Sequence, residues 1–130
     1  WFITGASTGL SAELARHALA KGCKVVVTAG RIQPLQDIAA QVPDLVALHR
    51  MNVTDPQQVA AVVRASQERF SGIDVMVNTA GYDTMGAVEE TPEPELRALM
   101  KTDVFGAFTI TQAALPMMRK RRKGEVVMIW

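Results

Sequence analysis

The sequence predicts an α/β fold built on a doubly wound parallel sheet, with about five strands in the order 3-2-1-4-5. Three observations predict it. Short apolar runs alternate with helical patterns along the whole chain, the runs are hydrophobic on both faces, and a glycine-rich turn joins the first run to the first helix. Right-handed crossovers then place helices on both faces of the sheet.

The apolar runs that we interpret as strands are rich in Val and Ile. Hydrophobic residues on both faces are typical of parallel strands, because helices cover such a sheet on each side. The five predicted strands are Trp1–Thr4, Lys24–Thr28, Leu45–Arg50, Ile73–Asn78 and Glu125–Trp130.

Three helices follow the first three strands. Lys21 and Gly22 supply the stop signal of the first, and the second follows Pro34. Asp55 before Pro56 predicts the start of the third, because Asp is a favoured N-cap residue and Pro is favoured at the first helical position. The residues that mark the three helices are Leu10, Leu14 and Ala18; Leu35, Ile38 and Val42; and Val59, Val62, Val63 and Phe70.

A fourth, longer helix is predicted from about Thr91 onward. We expect Pro116 to kink or end it, since proline lacks the amide hydrogen that a helix interior needs. Asp103 falls on its apolar stripe and should therefore face the sheet or a cleft. The stripe consists of Leu96, Leu99, Met100, Asp103, Ala107 and Ile110.

Composition excludes several classes of function. The formal net charge of +1 does not indicate a nucleic-acid partner, and no apolar run reaches the roughly 18 residues of a membrane span. Cys23 is the single cysteine, which excludes an internal disulfide and favours a reducing compartment. We therefore expect a cytoplasmic protein that binds neither nucleic acid nor membrane. No Cys/His cluster has metal-ligand spacing, so no metal site is predicted.

The chain reads as one domain over residues 1–130, and both of its ends look cut. It begins at Trp1 rather than at a methionine, and it ends inside an apolar run. A domain rarely stops within a strand, because the last strand needs neighbours and cover. We expect a truncated or incomplete domain.

The segment from Thr4 to Ser11 reads Thr-Gly-Ala-Ser-Thr-Gly-Leu-Ser and lies between the first strand and the first helix. Glycine at this place lets the backbone approach a phosphate, and the helix N-terminus adds free N–H groups and partial positive charge. This context predicts the diphosphate site of a Rossmann-type dinucleotide-binding domain.

Two other interpretations of this turn exist. It could be a simple tight turn, or residues 5–9 could be the G-x-S-x-G nucleophile elbow of an α/β-hydrolase. A hydrolase elbow follows several strands, and its acid and histidine come later in the chain. Here the turn follows the first strand, and the only histidines are His17 and His49. The hydrolase interpretation is therefore disfavoured.

Several ordered motifs make the chain resemble the classical short-chain dehydrogenase/reductase family. The family's T-G-x-x-x-G-x-G turn is matched by Thr4, Gly5 and Gly9, with Ser11 at the last glycine. Its N-N-A-G motif is present as Asn-Thr-Ala-Gly at residues 78–81, and residues 103–119 look like the family's long crossover helix. The resemblance covers the first half or so of a typical member.

The resemblance implies an NAD(P)(H)-dependent oxidoreductase that transfers hydride between nicotinamide and a small-molecule alcohol or carbonyl substrate. It implies three groups of binding residues and one further contact. The diphosphate turn would be Gly5, Ser7, Thr8, Gly9 and Leu10; Asn52 and Val53 would flank the adenine; Asn78, Ala80 and Gly81 would lie against the ribose and the central sheet; and Val104 would lie near the nicotinamide.

Two departures from the family pattern concern these residues. The family usually has Asp at the adenine position, where this chain has Asn52, whose amide oxygen can still accept from the adenine amino group. The family's catalytic Asn in the fourth helix is replaced by Asp103, which we take as the one candidate catalytic residue. An ionised Asp only accepts hydrogen bonds, whereas Asn also donates.

The stretch after the second strand bears on the choice of cofactor. Residues 27–31 contain no acid that would bind the ribose 2′-OH of NAD, and Arg31 offers a guanidinium suited to a phosphate. The sequence therefore favours NADP(H) over NAD(H).

The family's catalytic Ser and Tyr-x-x-x-Lys set is missing from these residues. The single tyrosine, Tyr82, has Gly86 four positions later, and the expected serine would follow Trp130. Two hypotheses stay open. The chain is the cofactor-binding part of a reductase or dehydrogenase, which would form a homo-oligomer at full length, or it is a truncated, non-catalytic nucleotide-binding or scaffold protein.

Overall fold

The computed structural model describes residues 1–129 and contains one parallel sheet of five strands in the order β3-β2-β1-β4-β5. The predicted fold class and strand order are therefore confirmed. The strands are β1 (Phe2–Ile3), β2 (Val25–Ala29), β3 (Val46–Arg50), β4 (Val75–Asn78) and β5 (Glu125–Met128). The predicted fifth strand also included Trp130, which lies outside the described residues.

Helices connect the strands and cover both faces of the sheet. They are α1 (Gly9–Ala20), α2 (Gln33–Gln41), α3 (Pro56–Phe70), α4 (Glu93–Met100) and α5 (Ala107–Arg121), with a 3₁₀ turn at Val88–Glu90 and a π-helical segment at Lys101–Gly106. Within residues 1–129, none of these helices has both the length and the apolar character that crossing a bilayer demands.

The centre of the sheet is the short strand β1. Phe2 pairs with Val26 of β2 and with Met76 of β4, all in parallel register. The chain runs outward from β1 first to β2 and β3 and later to β4 and β5, so the strand order reverses between β1 and β4. A parallel sheet opens a crevice at the carboxyl ends of the strands where its order reverses.

Each face of the sheet buries its own hydrophobic cluster. On one face, Phe2 and Met76 pack with Val59 of α3 and Ile110 of α5, and all four are fully buried. The cluster on the other face is formed by residues of all strands from β1 to β4 and of α1 and α2, including Ile3 and Leu35. Burial on two sides explains why the sequence runs of β1 and β2 are apolar throughout.

The first helix packs through small residues rather than through the leucines that mark it in the sequence. Leu10 is 65% exposed and Leu14 is half-buried. The buried face of α1 consists of Ser11, Ala12, Ala15, Ala18 and Leu19.

The predicted fourth helix is not one regular α-helix. The π-helical segment separates α4 from α5, and an i→i+5 turn contains one more residue than an α-turn. Side chains before and after the segment therefore do not share the single stripe that we expected. Leu96 and Met100 are exposed, whereas Ile110 is fully buried.

Pro116 does not end the helix. It lies inside α5, which continues to Arg121. Ala114, Met117 and Met118, around the proline, are buried, and burial of apolar side chains offsets the one backbone hydrogen bond that proline removes.

The third helix begins as the sequence predicts. Asp55 has extended backbone, and its carboxylate accepts hydrogen bonds from the amides of Gln57 at 2.9 Å and Gln58 at 3.2 Å. The bond from the Gln58 amide is the main reason why the pKa of Asp55 lies below its ordinary value of 3.8. Hydrogen bonds that favour the charged form of a carboxylate have this effect.

The capping carboxylate should make the stability of the fold depend on pH. In the Asp55→Asn variant an oxygen can still cap α3, but it cannot ionise. Because folding lowers the pKa of Asp55, its charge stabilises the fold above pH 3.8, and this contribution is lost as the pH falls through the lowered folded-state pKa. Urea unfolding from about pH 7 to about pH 2.5 should therefore show the wild-type advantage shrinking at the acidic end. An advantage that stays constant over this range would contradict the assignment.

Candidate functional site

The turn after β1 makes a close backbone contact with the loop after β4. Gly5 has a φ angle of +64°, and a Cβ atom added there would lie 2.8 Å from the Cα of Ala80 and 2.9 Å from the carbonyl oxygen of Thr79. Only glycine fits this position, because other side chains would be strained by the backbone angle and would collide with fixed backbone atoms. The two loops therefore approach each other as closely as their backbones allow.

Thr4 ties the same two loops together. Its hydroxyl oxygen accepts hydrogen bonds from the amides of Thr79 at 3.0 Å and Ala80 at 3.1 Å. In return, the hydroxyl of Thr79 donates to the carbonyl of Thr4. Thr4 is 1% exposed, so this polar network is buried and its groups are paired, as buried polar groups must be.

Ser11, at the position of the last glycine of the family turn, braces the turn from the helix side. Its hydroxyl lies 3.0 Å from the carbonyl oxygen of Gly5 and 3.2 Å from that of Thr8, and the side chain is 5% exposed. A serine fits here because its hydroxyl finds two backbone acceptors in the turn.

The N-terminus of α1 is left open. Thr8 is its N-cap residue but makes no side-chain capping bond, and the first turn contains no acidic residue. Gly9, at φ +65°, has no atom within 4 Å of a Cβ position. The start of α3, by contrast, is closed by the Asp55 carboxylate. Uncapped amides and the helix dipole make the start of α1 suited to an anion.

Two clefts open at the carboxyl ends of the strands and share Ala80 and Gly81. We call them the β2 cleft, of about 770 Å³, and the β4 cleft, of about 290 Å³. The β2 cleft is lined by Gly5, Ser7, Thr28, Ala29, Gly30, Arg50, Met51, Asn52, Val53, Gln58 and Thr102 besides the shared pair. The β4 cleft is lined by Thr8, Leu10, Ser11, Asn78, Thr79, Tyr82, Asp83, Asp103, Ala107, Met128 and Ile129.

The clefts differ in charge. Among the described residues, the only charged side chain that lines the β2 cleft is Arg50. The charged side chains that line the β4 cleft are the carboxylates of Asp83 and Asp103. An anionic group is therefore favoured in the β2 cleft and disfavoured in the β4 cleft.

Asp103 projects from the π-helical segment toward the loop after β4. Its Oδ1 accepts a hydrogen bond from the amide of Tyr82 at 3.3 Å. A Cβ atom at Gly81 would lie 3.0 Å from the same oxygen. The sequence prediction that Asp103 faces a cleft is thus met. The side chain is half-buried and has a backbone partner.

Asn78, at the end of β4, bridges β4 to α5 and β5. Its Nδ2 donates to the hydroxyl of Thr111 at 3.1 Å and lies 3.2 Å from the sulfur of Met128. Its Oδ1 is buried and has no partner within residues 1–129. A buried acceptor without a partner in the β4 cleft is suited to a donor from a ligand or a water.

Asn52 and Val53 line the β2 cleft, but the amide oxygen of Asn52 already accepts two hydrogen bonds. It accepts from the amide of Thr54 at 3.0 Å and from the Thr54 hydroxyl at 2.9 Å. Two bonds fill the two lone pairs of the oxygen, so Asn52 can offer a ligand its Nδ2 donor more readily. Val53 is 6% exposed. Its side chain packs against Gly106, where an added Cβ atom would lie 2.6 Å from the Cγ2 atom of Val53.

Three of the residues predicted from the sequence line neither cleft. Arg31 is exposed in the segment that joins β2 to α2, Val104 is 37% exposed on the π-helical segment, and Gly9 lies at the open helix end. Arg50 was missed. The signal for it was present, because adjacent parallel strands bring the ends of β2 and β3 together, and Arg50 closes the third apolar run.

Comparisons with known proteins agree with this geometry. The family model of short chain dehydrogenase matches residues 1–130. Oxidoreductase BOA17 of Botryotinia fuckeliana (strain B05.10) is 32% identical over 130 residues, which are 99% of this chain and 47% of that protein. Dehydrogenase/reductase SDR family member 7B of Bos taurus is 33% identical over 98% of this chain and 42% of its own length.

Solved structures show the same relation. A short-chain dehydrogenase from Streptomyces avermitilis superimposes with a TM-score of 0.94 at 41% identity, over 98% of this chain and 47% of that one. The chain thus spans about half the length of the relatives that it matches.

The two positive-φ glycines of the turn should respond differently to alanine. Gly5→Ala combines left-handed strain with a backbone collision, so we expect the free energy of unfolding to fall by roughly 2–4 kcal/mol. Gly9→Ala meets open space and should cost only the strain of about 1–2 kcal/mol. Urea unfolding of both variants and the wild type measures the two losses. Equal losses would mean that the contact between Gly5 and Ala80 does not constrain the turn.

Proposed function

Because this chain belongs to the short chain dehydrogenase family, we propose that its residues bind a nicotinamide adenine dinucleotide across the two clefts at the carboxyl edge of the sheet. The observation that supports this most strongly is the open N-terminus of α1, which begins beside the Gly5 turn and has no capping side chain. The diphosphate of the cofactor would take the place of that missing cap.

The residues present fit such a cofactor. The amides at the start of α1 can donate to the diphosphate, and the open space at Gly9 leaves room for it. Ser7 and Thr8 carry hydroxyl groups that line the β2 and β4 clefts respectively. With Leu10 at the mouth of the β4 cleft, the turn presents polar groups at its centre and one apolar side chain beside them.

We assign the adenosine to the β2 cleft and the nicotinamide side to the β4 cleft. Asn52 and Val53 line the former, with the Asn52 amide group acting mainly as a donor. The buried Oδ1 of Asn78 and the backbone at Ala80 and Gly81 would contact the cofactor where the clefts meet. Val104 lines neither cleft, so we assign it no direct contact with the nicotinamide.

We propose NADP(H) rather than NAD(H) as the preferred cofactor. A dehydrogenase that uses NAD holds the ribose 2′-OH with an acidic residue, and the β2 cleft is lined by none among the described residues. A cationic cleft favours the additional phosphate. Arg50 is the cation that lines this cleft, whereas Arg31 follows β2 without lining it.

Hydride transfer to or from a small-molecule alcohol or carbonyl compound is the activity that we propose for the protein. When bound, the nicotinamide supplies or accepts the hydride. Of this chain's residues, Asp103 can accept a hydrogen bond from a water or a substrate hydroxyl through Oδ2, while Oδ1 is held by Tyr82. The 130 residues contain no Tyr-x-x-x-Lys sequence, since Tyr82 is the single tyrosine and Gly86 stands four residues later. We therefore assign cofactor binding to this chain, and proton transfer to none of its residues.

Because the 130 residues lack a Tyr-x-x-x-Lys sequence, the second hypothesis also stays open. In it, the chain binds a nucleotide without turning it over. Measuring both the binding and the oxidation of NADPH distinguishes the two hypotheses. The protein expressed from its own gene should both bind NADPH and oxidise it in the presence of carbonyl compounds if the first holds. Binding without oxidation over a panel of aldehydes and ketones would favour the second.

Introducing a carboxylate at the open helix end should weaken cofactor binding. In Gly9→Asp the carboxylate lies at the first residue of α1 and repels the diphosphate, so we expect the Kd of both NADPH and NADH to rise by at least about tenfold. Gly9→Asn is the matched control, because it has the same shape and a similar tolerance of positive φ but no charge. Fluorescence titration measures both. Equal binding by the Asp and Asn variants would contradict the placement of the diphosphate.

A further inference from the structure

Arg50, which belongs to none of the motifs in the sequence, lies at the carboxyl edge of the sheet. It is the last residue of β3, and it pairs in parallel register with Ala29, the last residue of β2. Both residues line the β2 cleft together with Gly30. The register thus places a cation from the outermost strand beside the end of β2.

The guanidinium of Arg50 is available to a ligand. The ion pairs of the described residues involve Arg16, Arg97, Arg121 and Lys123, and none involves Arg50. Arg50 is exposed, and no carboxylate among residues 1–129 lines the cleft with it. A cation without an internal partner at the wall of a cleft is a ready contact for an anion.

Space for that anion is present at Gly30. A Cβ atom at this glycine would meet no atom within 4 Å, so the end of β2 presents bare backbone to the cleft. A dianionic phosphate here could approach the backbone closely and still accept both arms of the Arg50 guanidinium, which forms paired hydrogen bonds with phosphate oxygens.

Arg31 is the obvious rival, because it follows β2 directly. It lies in the segment before α2, is exposed, and lines neither cleft. A side chain that starts outside the cleft must give up more conformational freedom to reach a ligand inside it than one that already lines the wall.

We propose that Arg50, and not Arg31, binds the 2′-phosphate of NADP(H) and so determines the cofactor preference. This inference rests on the proposed function, since it presumes that the adenosine occupies the β2 cleft. Arg50 is a specificity-determining residue in this assignment. It contacts the one group by which the two cofactors differ.

The test compares the Kd values of NADPH and NADH for the protein expressed from its own gene and for four variants. Arg50→Gln should raise the Kd of NADPH by about tenfold or more and change that of NADH by less than about twofold. Arg50→Lys keeps the charge without the fork and should fall between wild type and Arg50→Gln. Arg31→Gln should leave both Kd values near wild type, and so should Arg64→Gln, an exposed arginine of α3 that serves as the matched control.

The outcomes separate this inference from the function on which it rests. A selective loss of NADPH binding in Arg31→Gln but not in Arg50→Gln overturns the inference and leaves the proposed function intact. An equal loss of NADPH and NADH in Arg50→Gln, with an unfolding transition like that of the wild type, also overturns it, because the residue would then act on a shared part of the cofactor. Failure of the wild-type protein to bind either cofactor would instead reject the proposed function.

Discussion

The close contact of Gly5 with the backbone of Thr79 and Ala80 is the constraint on which the rest of the site depends. It holds the turn after β1 against the loop after β4, at the point where the strand order reverses. Thr4 fixes the same contact with hydrogen bonds that are buried and paired. Because the two loops cannot shift independently, the start of α1 keeps a defined position beside both clefts.

The clefts on the two sides of this contact have different chemistry because different strands supply their walls. Arg50 on the β3 end makes one cleft cationic, and Asp83 and Asp103 make the other anionic. The π-helical segment contributes to the second, since it turns Asp103 toward the amide of Tyr82. π-turns within longer helices occur frequently at functional sites. A charge gradient across one crevice orients an elongated ligand whose anionic groups are clustered at one end.

Local signals predicted the elements well wherever a residue acts on its neighbours in sequence. Asp55 followed by Pro56 predicted the start of α3, and the two-faced apolar runs predicted strands that the helices cover. Pro116, which we expected to kink or end the helix, does not end it, because buried apolar side chains around it (Ala114, Met117 and Met118) keep α5 packed. The prediction was wrong for the stripe of Leu96 and Met100, since nothing in the residue spacing reveals the additional residue of a π-turn.

The sequence by itself determined the fold class and the glycine turn, because periodicity and backbone freedom are local properties of the chain. The strand order followed from the doubly wound class that these features indicate. Only the tertiary structure decided which side chains share a cleft. Parallel pairing of β2 with β3 brings Arg50 to the cleft wall and leaves Arg31 outside it, and the bonds from Thr54 occupy the Asn52 oxygen. Contacts between residues distant in sequence depend on strand register and loop path, which no local pattern encodes.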